Sequence, residues 1–276
     1  VPKDIVRALF ADNKGRIWIA SRNTATVTIV DKKLKLIGYL GSNGRLHSTP
    51  QNFAPIYSIM QQRNGNIWLC SKPHGLIMLK ETTDGVFDIK TMTKGSRHDI
   101  RRGLCINSND VYDIKEDRHG RLWVGTLGGG INMMVPKGNQ YRVYNKDNAY
   151  KSYPSAAVNA RKVMIVGDRM LMATTTGGLI AADIRKNNIE FCLHTRQNSL
   201  SCNATMDMVM DSKGRLFVAT ESGRINMLVT KNLNNKRYEF KHFTTAQGMG
   251  SDVVMAMARS GNQLMVQSLN QLIRLD

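Results

Sequence analysis

Gly120-Arg121-Leu122-Trp123-Val124-Gly125-Thr126 is one copy of a seven-residue word whose repetition decides the fold. The other copies are Gly15-Arg16-Ile17-Trp18-Ile19-Ala20-Ser21, Gly65-Asn66-Ile67-Trp68-Leu69-Cys70-Ser71, Asp168-Arg169-Met170-Leu171-Met172-Ala173-Thr174, Gly214-Arg215-Leu216-Phe217-Val218-Ala219-Thr220 and Asn262-Gln263-Leu264-Met265-Val266-Gln267-Ser268. They recur at roughly 46 to 55 residues, the period of propeller blades rather than of short solenoid turns. All three tryptophans of the chain fall in one column.

A turn former, three apolar residues and a small residue before Ser/Thr read as a tight turn feeding a short strand buried on both faces. Upstream of each copy lies another β-rich run: Val6 to Phe10, Ile56 to Met60, Val111 to Ile114, Val163 to Val166, Met206 to Met210 and Val253 to Met257. Asp12, Asp117 and Asp211 open three of the hairpins, where a carboxylate can cap the turn while Gly supplies positive φ. Gly75-Leu76, Gly130-Ile131 and Gly178-Leu179 restart an apolar stretch as a third strand. Phe87 to Met92, Tyr141 to Tyr144 and Tyr238 to Phe243 alternate as a fourth. The expected fold is all-β, a β-propeller of four-stranded antiparallel blades. Six repeats are visible, and the last stops at Asp276 after its third strand.

The block from Val111-Tyr112-Asp113-Ile114 through Asp117-Arg118-His119-Gly120 to Gly128-Gly129-Gly130-Ile131-Asn132 resembles the two-component regulator propeller repeat. That repeat occurs in the periplasmic sensor halves of hybrid two-component systems of Bacteroides-type bacteria. The likeness is strong in the first three repeats and the fifth. Repeats four and six depart from it, with Leu171 and Met265 replacing the aromatic and Asp168 and Asn262 replacing the turn glycine. The resemblance implies a periplasmic sensor in an inner-membrane receptor, which binds an oligosaccharide from a glycan and signals to a histidine kinase without doing chemistry itself. The repeat columns carry none of that function: Trp18, Trp68 and Trp123 are assigned to packing.

The 276 residues, 42% hydrophobic, suffice for one propeller domain spanning 1–276. No apolar run is long enough for a membrane span and no secretory leader stands at Val1. An unpaired last blade would expose a sheet edge, so the expectation is a fragment of a longer sensor with further blades and a membrane-proximal domain, dimeric as a whole. Cys70, Cys105, Cys192 and Cys202 lack metal-ligand spacing. Cys70 sits in the small-residue column as a buried thiol, and Cys192 and Cys202 fall on an outer and near an inner strand, too far apart for an expected disulfide. The sixteen methionines read as adaptable packing, and the Asn203-Ala204-Thr205 sequon as a chance match.

Lys and Arg outnumber Asp and Glu by 39 to 21, for a net charge of +18. Such a field favours anionic partners. An acidic glycan, a nucleic acid and an anionic membrane compete, and nucleic acid is disfavoured because the aromatics are committed to repeat columns rather than to a stacking groove.

In a propeller, loops joining an outer strand to the next inner strand share a face with loops joining second to third strands. The first set carries Arg45, His47, Lys94, Arg97, His98, Arg101, Arg102 and Arg196; the second carries Arg22, Lys72, His74, Glu221 and Arg224. Lys94 to Gly103 is the densest basic segment. Its Arg forks could read the carboxylate or sulfate of an acidic sugar, against the plainer reading of a solvated loop. Phe53, Tyr150 and Tyr153, with Gln51, Asn52 and Asn148, are wall candidates for sugar rings, or else pack their own loops. Lys32, Lys33, Lys137, Lys231 and Lys236 on the opposite face are assigned to solubility or to a neighbouring domain.

The repeats are also similar to those of streptogramin lyases, single-ring propellers that use histidine, acidic residues and a divalent metal. His47, His74 and His98 lie near the candidate face, but no H-E-x-x-H, G-x-S-x-G, P-loop or calcium loop is present. No catalytic residue, cofactor or metal is assigned. The leading expectation is a glycan-reading sensor propeller. A structural, dimerising propeller with the ligand bound elsewhere is the first alternative and a metal-dependent lyase the second.

Overall fold

A computed structural model describes residues 4–185, 188–222, 224–244, 254–268 and 271–275. Val253, the Met255 side chain and the chain ends at Val1 and Asp276 lie outside the described residues. The fold is an all-β propeller of six consecutive antiparallel sheets. Two compact units, Val1–Ala149 and Tyr150–Asp276, hold three sheets each.

In the first unit, blade 1 comprises β1 (Val6–Ala11), β2 (Ile17–Ser21), β3 (Val27–Val30), β4 (Leu36–Leu40) and β5 (Leu46–His47). Blade 2 comprises β6 (Ile56–Gln61), β7 (Ile67–Ser71), β8 (Gly75–Thr83) and β9 (Val86–Met92). A helix α1 (Arg97–Arg102) precedes blade 3, which comprises β10 (Val111–Glu116), β11 (Leu122–Thr126), β12 (Gly130–Lys137) and β13 (Gln140–Tyr144). In the second unit, blade 4 is β14 (Ala160–Val166), β15 (Arg169–Thr174), β16 (Leu179–Asp183) and β17 (Phe191–His194). Blade 5 is β18 (Thr205–Met210), β19 (Leu216–Thr220), β20 (Ile225–Leu228) and β21 (Phe240–Phe243), and blade 6 is β22 (Val254–Ser260), β23 (Gln263–Ser268) and β24 (Leu272–Leu275). Blade 1 thus gains a fifth strand, and the fourth strand of blade 5 starts at Phe240 rather than Tyr238.

Each repeated word forms a second strand, and β7, β11, β15 and β19 are buried along their whole length. Their apolar side chains fill the space between successive blades: Trp18 packs with Ile56, Leu69 and Phe87, while Trp68 packs with Val111, Leu122 and Val124. In the second unit Leu171 meets Leu216 and Tyr238, and Phe217 meets Val254 and Val266. Trp18, Trp68 and Trp123 are all at most 2% exposed, which places them in the packing columns.

The Asp that opens a hairpin does more than cap it. Asp12 Oδ1 accepts the Lys14 and Arg16 backbone N–H groups, while Oδ2 accepts Arg16 Nε–H at 2.7 Å and Trp18 Nε1–H at 2.9 Å. Asp117 repeats all four contacts with His119, Arg121 and Trp123. In blade 2, Gln62 takes over the indole, accepting Trp68 Nε1–H at 3.0 Å. Each indole therefore buries its ring without stranding its one donor.

The first strand of every blade carries a β-bulge at one and the same place. Pairing skips one residue between Val6 and Ala8, Ile56 and Ser58, Val111 and Asp113, Ala160 and Lys162, Thr205 and Asp207, and Val254 and Ala256. The extra residues are Arg7, Tyr57, Tyr112, Arg161, Met206 and Met255.

Candidate functional site

A bulge inserts one unpaired residue, bends its strand and re-aims that side chain. In the first unit the three re-aimed side chains meet. The Arg7 guanidinium stands 4.0 Å from the Tyr57 ring centroid, and the Tyr57 and Tyr112 rings meet edge to face with centroids 4.8 Å apart. Both geometries are attractive, the first through the ring quadrupole. Beneath the run, Ser58 Oγ–H donates to Asp113 Oδ1 at 2.7 Å, fastening β6 to β10. Lys72, in the β7–β8 loop, pairs with Asp110 at 3.3 Å. Its pKa is raised by that hydrogen bond and by the charges of Tyr112, Asp110 and Tyr57. Half-buried Arg7, Tyr57, Tyr112 and Lys72 form one continuous aromatic and cationic surface.

The connection from Thr93 to Asp110 supplies the Asp110 partner of Lys72 and also builds a basic cavity. Within it the segment expected to be a loop folds into α1. Ser96 caps the helix, accepting Asp99 N–H at 3.1 Å, and Asp99 Oδ2 accepts the Ser96 N–H and Oγ–H in return. Gly103 ends the helix at φ +70°, and a Cβ there would stand 2.6 Å from the Val143 carbonyl oxygen. Ile100 is buried, and Asn148 Nδ2–H donates to its carbonyl at 2.8 Å, clamping the helix to blade 3. Arg97, His98, Arg101 and Arg102 are left exposed.

Arg97 and Arg101 line a cavity of about 430 Å³ with Lys94, Asn107, Lys146 and Asp147. Its floor is an amide network. Asn107 Nδ2–H donates to Asp147 Oδ2 at 2.8 Å and to the Gly129 carbonyl at 3.0 Å, while Asn107 Oδ1 accepts Asn132 Nδ2–H at 2.9 Å. Gly129 is required there, because a Cβ would stand 2.2 Å from Asn107 Oδ1. Burial pushes the Asp147 carboxyl up, but the Asn107 and Lys146 hydrogen bonds and the charges of Lys146 and Lys94 outweigh it and hold its pKa below the usual range. One anchored carboxylate thus faces four cations, a balance suited to an anionic ligand.

The other expected site residues divide. Lys72 belongs to the surface above, and His74 and Arg22 are exposed on β7–β8 and β2–β3 loops. Arg45 bridges Val86 at the β8–β9 hairpin, which removes it from the loop group to which its sequence position assigns it. The added strand β5 is the cause: it carries this stretch along the edge of blade 1, where His47 Nε2 meets Asn43 Oδ1 at 3.2 Å. In the second unit Arg196, Glu221 and Arg224 are exposed, with the Arg196 N–H fixed to Asn203 Oδ1 at 2.8 Å. Tyr150 and Tyr153 are corrected: both are buried, their rings at 5.2 and 5.0 Å from Phe191, so they pack their loop and present no wall to a ligand. Phe53 likewise packs against the blade 1 and 2 core. Among the described residues Cys105, Cys192 and Cys202 are free thiols, and Cys70 is buried. Among the described residues no three His, Cys, Asp or Glu side chains are grouped to hold a metal; His47 stands on β5, His74 in the β7–β8 loop and His98 on α1. No helix among them is long and apolar enough to cross a membrane.

Residues 1–23 and 105–128 match the family model described as two component regulator propeller. The matched stretches make up about a sixth of the chain. The second stretch contributes Asn107 and Gly128 to the cavity and Tyr112 to the aromatic run; the first contributes Arg7. No curated protein matches the sequence. Among solved structures, the extracellular domain of a hybrid two component system from B. thetaiotaomicron superposes with a TM-score of 0.72 at 16% identity, over 99% of this chain and 35% of its own. A second such domain from that organism gives 0.56 at 16% identity, over 99% and 39%. Virginiamycin B lyase from Staphylococcus aureus gives 0.68 at 12% identity, over 98% and 80%. At these identities the likeness is one of fold. The chain spans little more than a third of either B. thetaiotaomicron domain.

Proposed function

We propose that this chain is the ligand-reading propeller of an extracytoplasmic sensor, part of a hybrid two-component receptor, and that its ligand is an acidic oligosaccharide released from a glycan. The observation that carries the reading is the cavity of Lys94, Arg97, Arg101 and Lys146, built largely by the connection that leads into Tyr112 of the Arg7–Tyr57–Tyr112 run. Tyrosine faces suit the apolar faces of sugar rings, and Arg forks suit carboxylate or sulfate. The repeat columns are spent on packing, whereas the bulge column holds Arg in blades 1 and 4, Tyr in blades 2 and 3 and Met in blades 5 and 6, in an unchanged backbone setting. Variable chemistry in a constant frame is what a binding surface requires.

No bond is made or broken in this reading. The ligand biases two arrangements of the propeller against the rest of a longer, dimeric receptor, which includes further blades and a membrane-proximal domain, and the signal equals its differential affinity for the two. Calorimetric titration with neutral, uronic and sulfated oligosaccharides tests it. Saturable heat is expected with the acidic ligands, and Arg97→Ser is expected to weaken binding about tenfold or more, the scale of a hydrogen bond to a charged group. Absence of heat with every oligosaccharide, alongside self-association in ultracentrifugation, would replace the sensor reading with that of a dimerising scaffold.

A further inference from the structure

The arginine that follows the hairpin turn has a fixed task in three blades. Arg16, Arg121 and Arg215 each donate Nε–H to the Asp four residues earlier, at 2.7, 2.6 and 2.5 Å. Each guanidinium also stands 5.5 to 5.7 Å from the ring of the aromatic two residues later, Trp18, Trp123 or Phe217. Blade 4 keeps the arginine, as Arg169, and loses both supports: its hairpin turn is one residue shorter, Val166 pairs with Arg169 and holds the place of the Asp, and Leu171 holds that of the aromatic. Arg169 is 7% exposed, and neither its Nε nor its Nη2 has a partner among the described residues. These two nitrogens form one edge of the guanidinium, the fork that takes an oxyanion in two parallel hydrogen bonds.

The surroundings are arranged for negative charge. Arg169 lines a cavity of about 450 Å³ with Asp168, Arg185, Lys231, Asn232 and Asn234. Arg185 is oriented by Asp183, at 2.7 Å, and Lys231, Asn232 and Asn234 are exposed on the β20–β21 connection. Behind Arg169, the His194 ring stacks on Tyr238 at 4.1 Å and neither imidazole nitrogen has a partner among the described residues. Burial, and then the Arg169 charge, hold that histidine down to about 4, so it is a neutral wall near neutral pH.

We infer that the Arg169 fork is a binding site for a sulfate- or phosphate-type oxyanion, which supplies in blade 4 what Asp12, Asp117 and Asp211 supply in blades 1, 3 and 5. Arg185 and Lys231 guide it at the rim. Nε and Nη2 are themselves covered, so in this proposal the anion enters as the side chains lining the cavity rearrange. The site lies at the strand-turn end of blades 4 and 5, among residues that the glycan-binding reading does not use, and it stands or falls independently of that reading.

Thermal unfolding of the whole chain in sodium sulfate, sodium phosphate and sodium chloride at matched ionic strength tests the assignment. Sulfate or phosphate at tenfold its half-saturating concentration is expected to raise Tm saturably by about 3–6 °C over chloride. The rise is expected to vanish in Arg169→Met and to survive in Arg97→Ser. An equal rise in the wild type and Arg169→Met would overturn the site, since it would report only the general exclusion of such salts from protein surfaces. Should Arg169→Met fail to fold cooperatively, the rim variant Arg185→Ser/Lys231→Ser decides: about a tenfold higher half-saturating concentration supports the site and an unchanged one overturns it. Competition by a sulfated monosaccharide distinguishes a sugar-borne group from the free ion.

Discussion

The hairpins of blades 1 and 4 present the same arginine in opposite electrostatic settings. Arg16 is enclosed by carboxylates, with Nε on Asp12 at 2.7 Å and Nη1 and Nη2 on Glu81 at 2.7 and 2.9 Å. Arg169 is equally buried and hydrogen-bonds the Tyr238 side chain, but its Nε–Nη2 edge meets no acceptor among the described residues. A repeated fold position therefore does not guarantee a repeated energetic role. Burial makes an ion costly, and only the partner decides whether that cost is recovered.

The sharpest way to break this comparison is to make blade 1 resemble blade 4. Asp12→Ala removes the acceptor of two backbone N–H groups, the Arg16 Nε–H and the Trp18 indole N–H, and it is expected to cost about 3–5 kcal/mol in urea unfolding. A loss under about 1 kcal/mol would mean that Glu81 alone satisfies Arg16.

Next in size is the pH response of blade 4. His194 has a folded pKa of about 4 against an ordinary 6.5, so between these values the unfolded chain takes up a proton that the folded chain refuses. Stability is expected to be fully present above pH 6.5 and to fall as pH drops toward 4, by about 3 kcal/mol in all. His194→Phe should flatten that part of the stability-against-pH curve relative to the wild type. An unaltered slope would show that the histidine charges in the folded protein.

The smallest effect carries the most informative sign. In chloride buffer Arg169→Met is expected to stabilise the protein by about 2 kcal/mol, because it removes a buried charge with an unsatisfied fork. Arg16→Met should destabilise it, because two carboxylates lose their cation. Urea unfolding of the pair gives both signs in one experiment, and a common sign would erase the distinction between the two hairpins.

Much of this contrast is legible in the residues. The spacing of the words, the Asp at the head of three hairpins and the replacement of Trp by Leu171 are all visible, because they are local and periodic. The helix α1 left a signal in Ser96, Asp99 and Gly103, a capping box and a left-handed stop, yet six residues are too few to show helical periodicity. The bulge residues Arg7, Tyr57 and Tyr112 escape a reading by position, since an extra residue exists only relative to the strand it is paired with. Tyr150 and Tyr153 mislead for the converse reason. Aromatics in a connection look available until the connection folds back on Phe191.

By itself the sequence determined the blade, its strand order and the columns that pack, because turn chemistry and the burial of alternating or continuous apolar runs act over a few residues. Only the tertiary structure decided which side chains meet. Arg7 reaches Tyr57 across 49 intervening positions of chain, Lys94 reaches Asp147, and the Nε–Nη2 edge of Arg169 is left without an acceptor among the described residues, because cross-strand register and the closure of loops bring distant residues together. Those contacts are long-range, and the energy of a charge depends on its neighbours rather than on its place in a repeat.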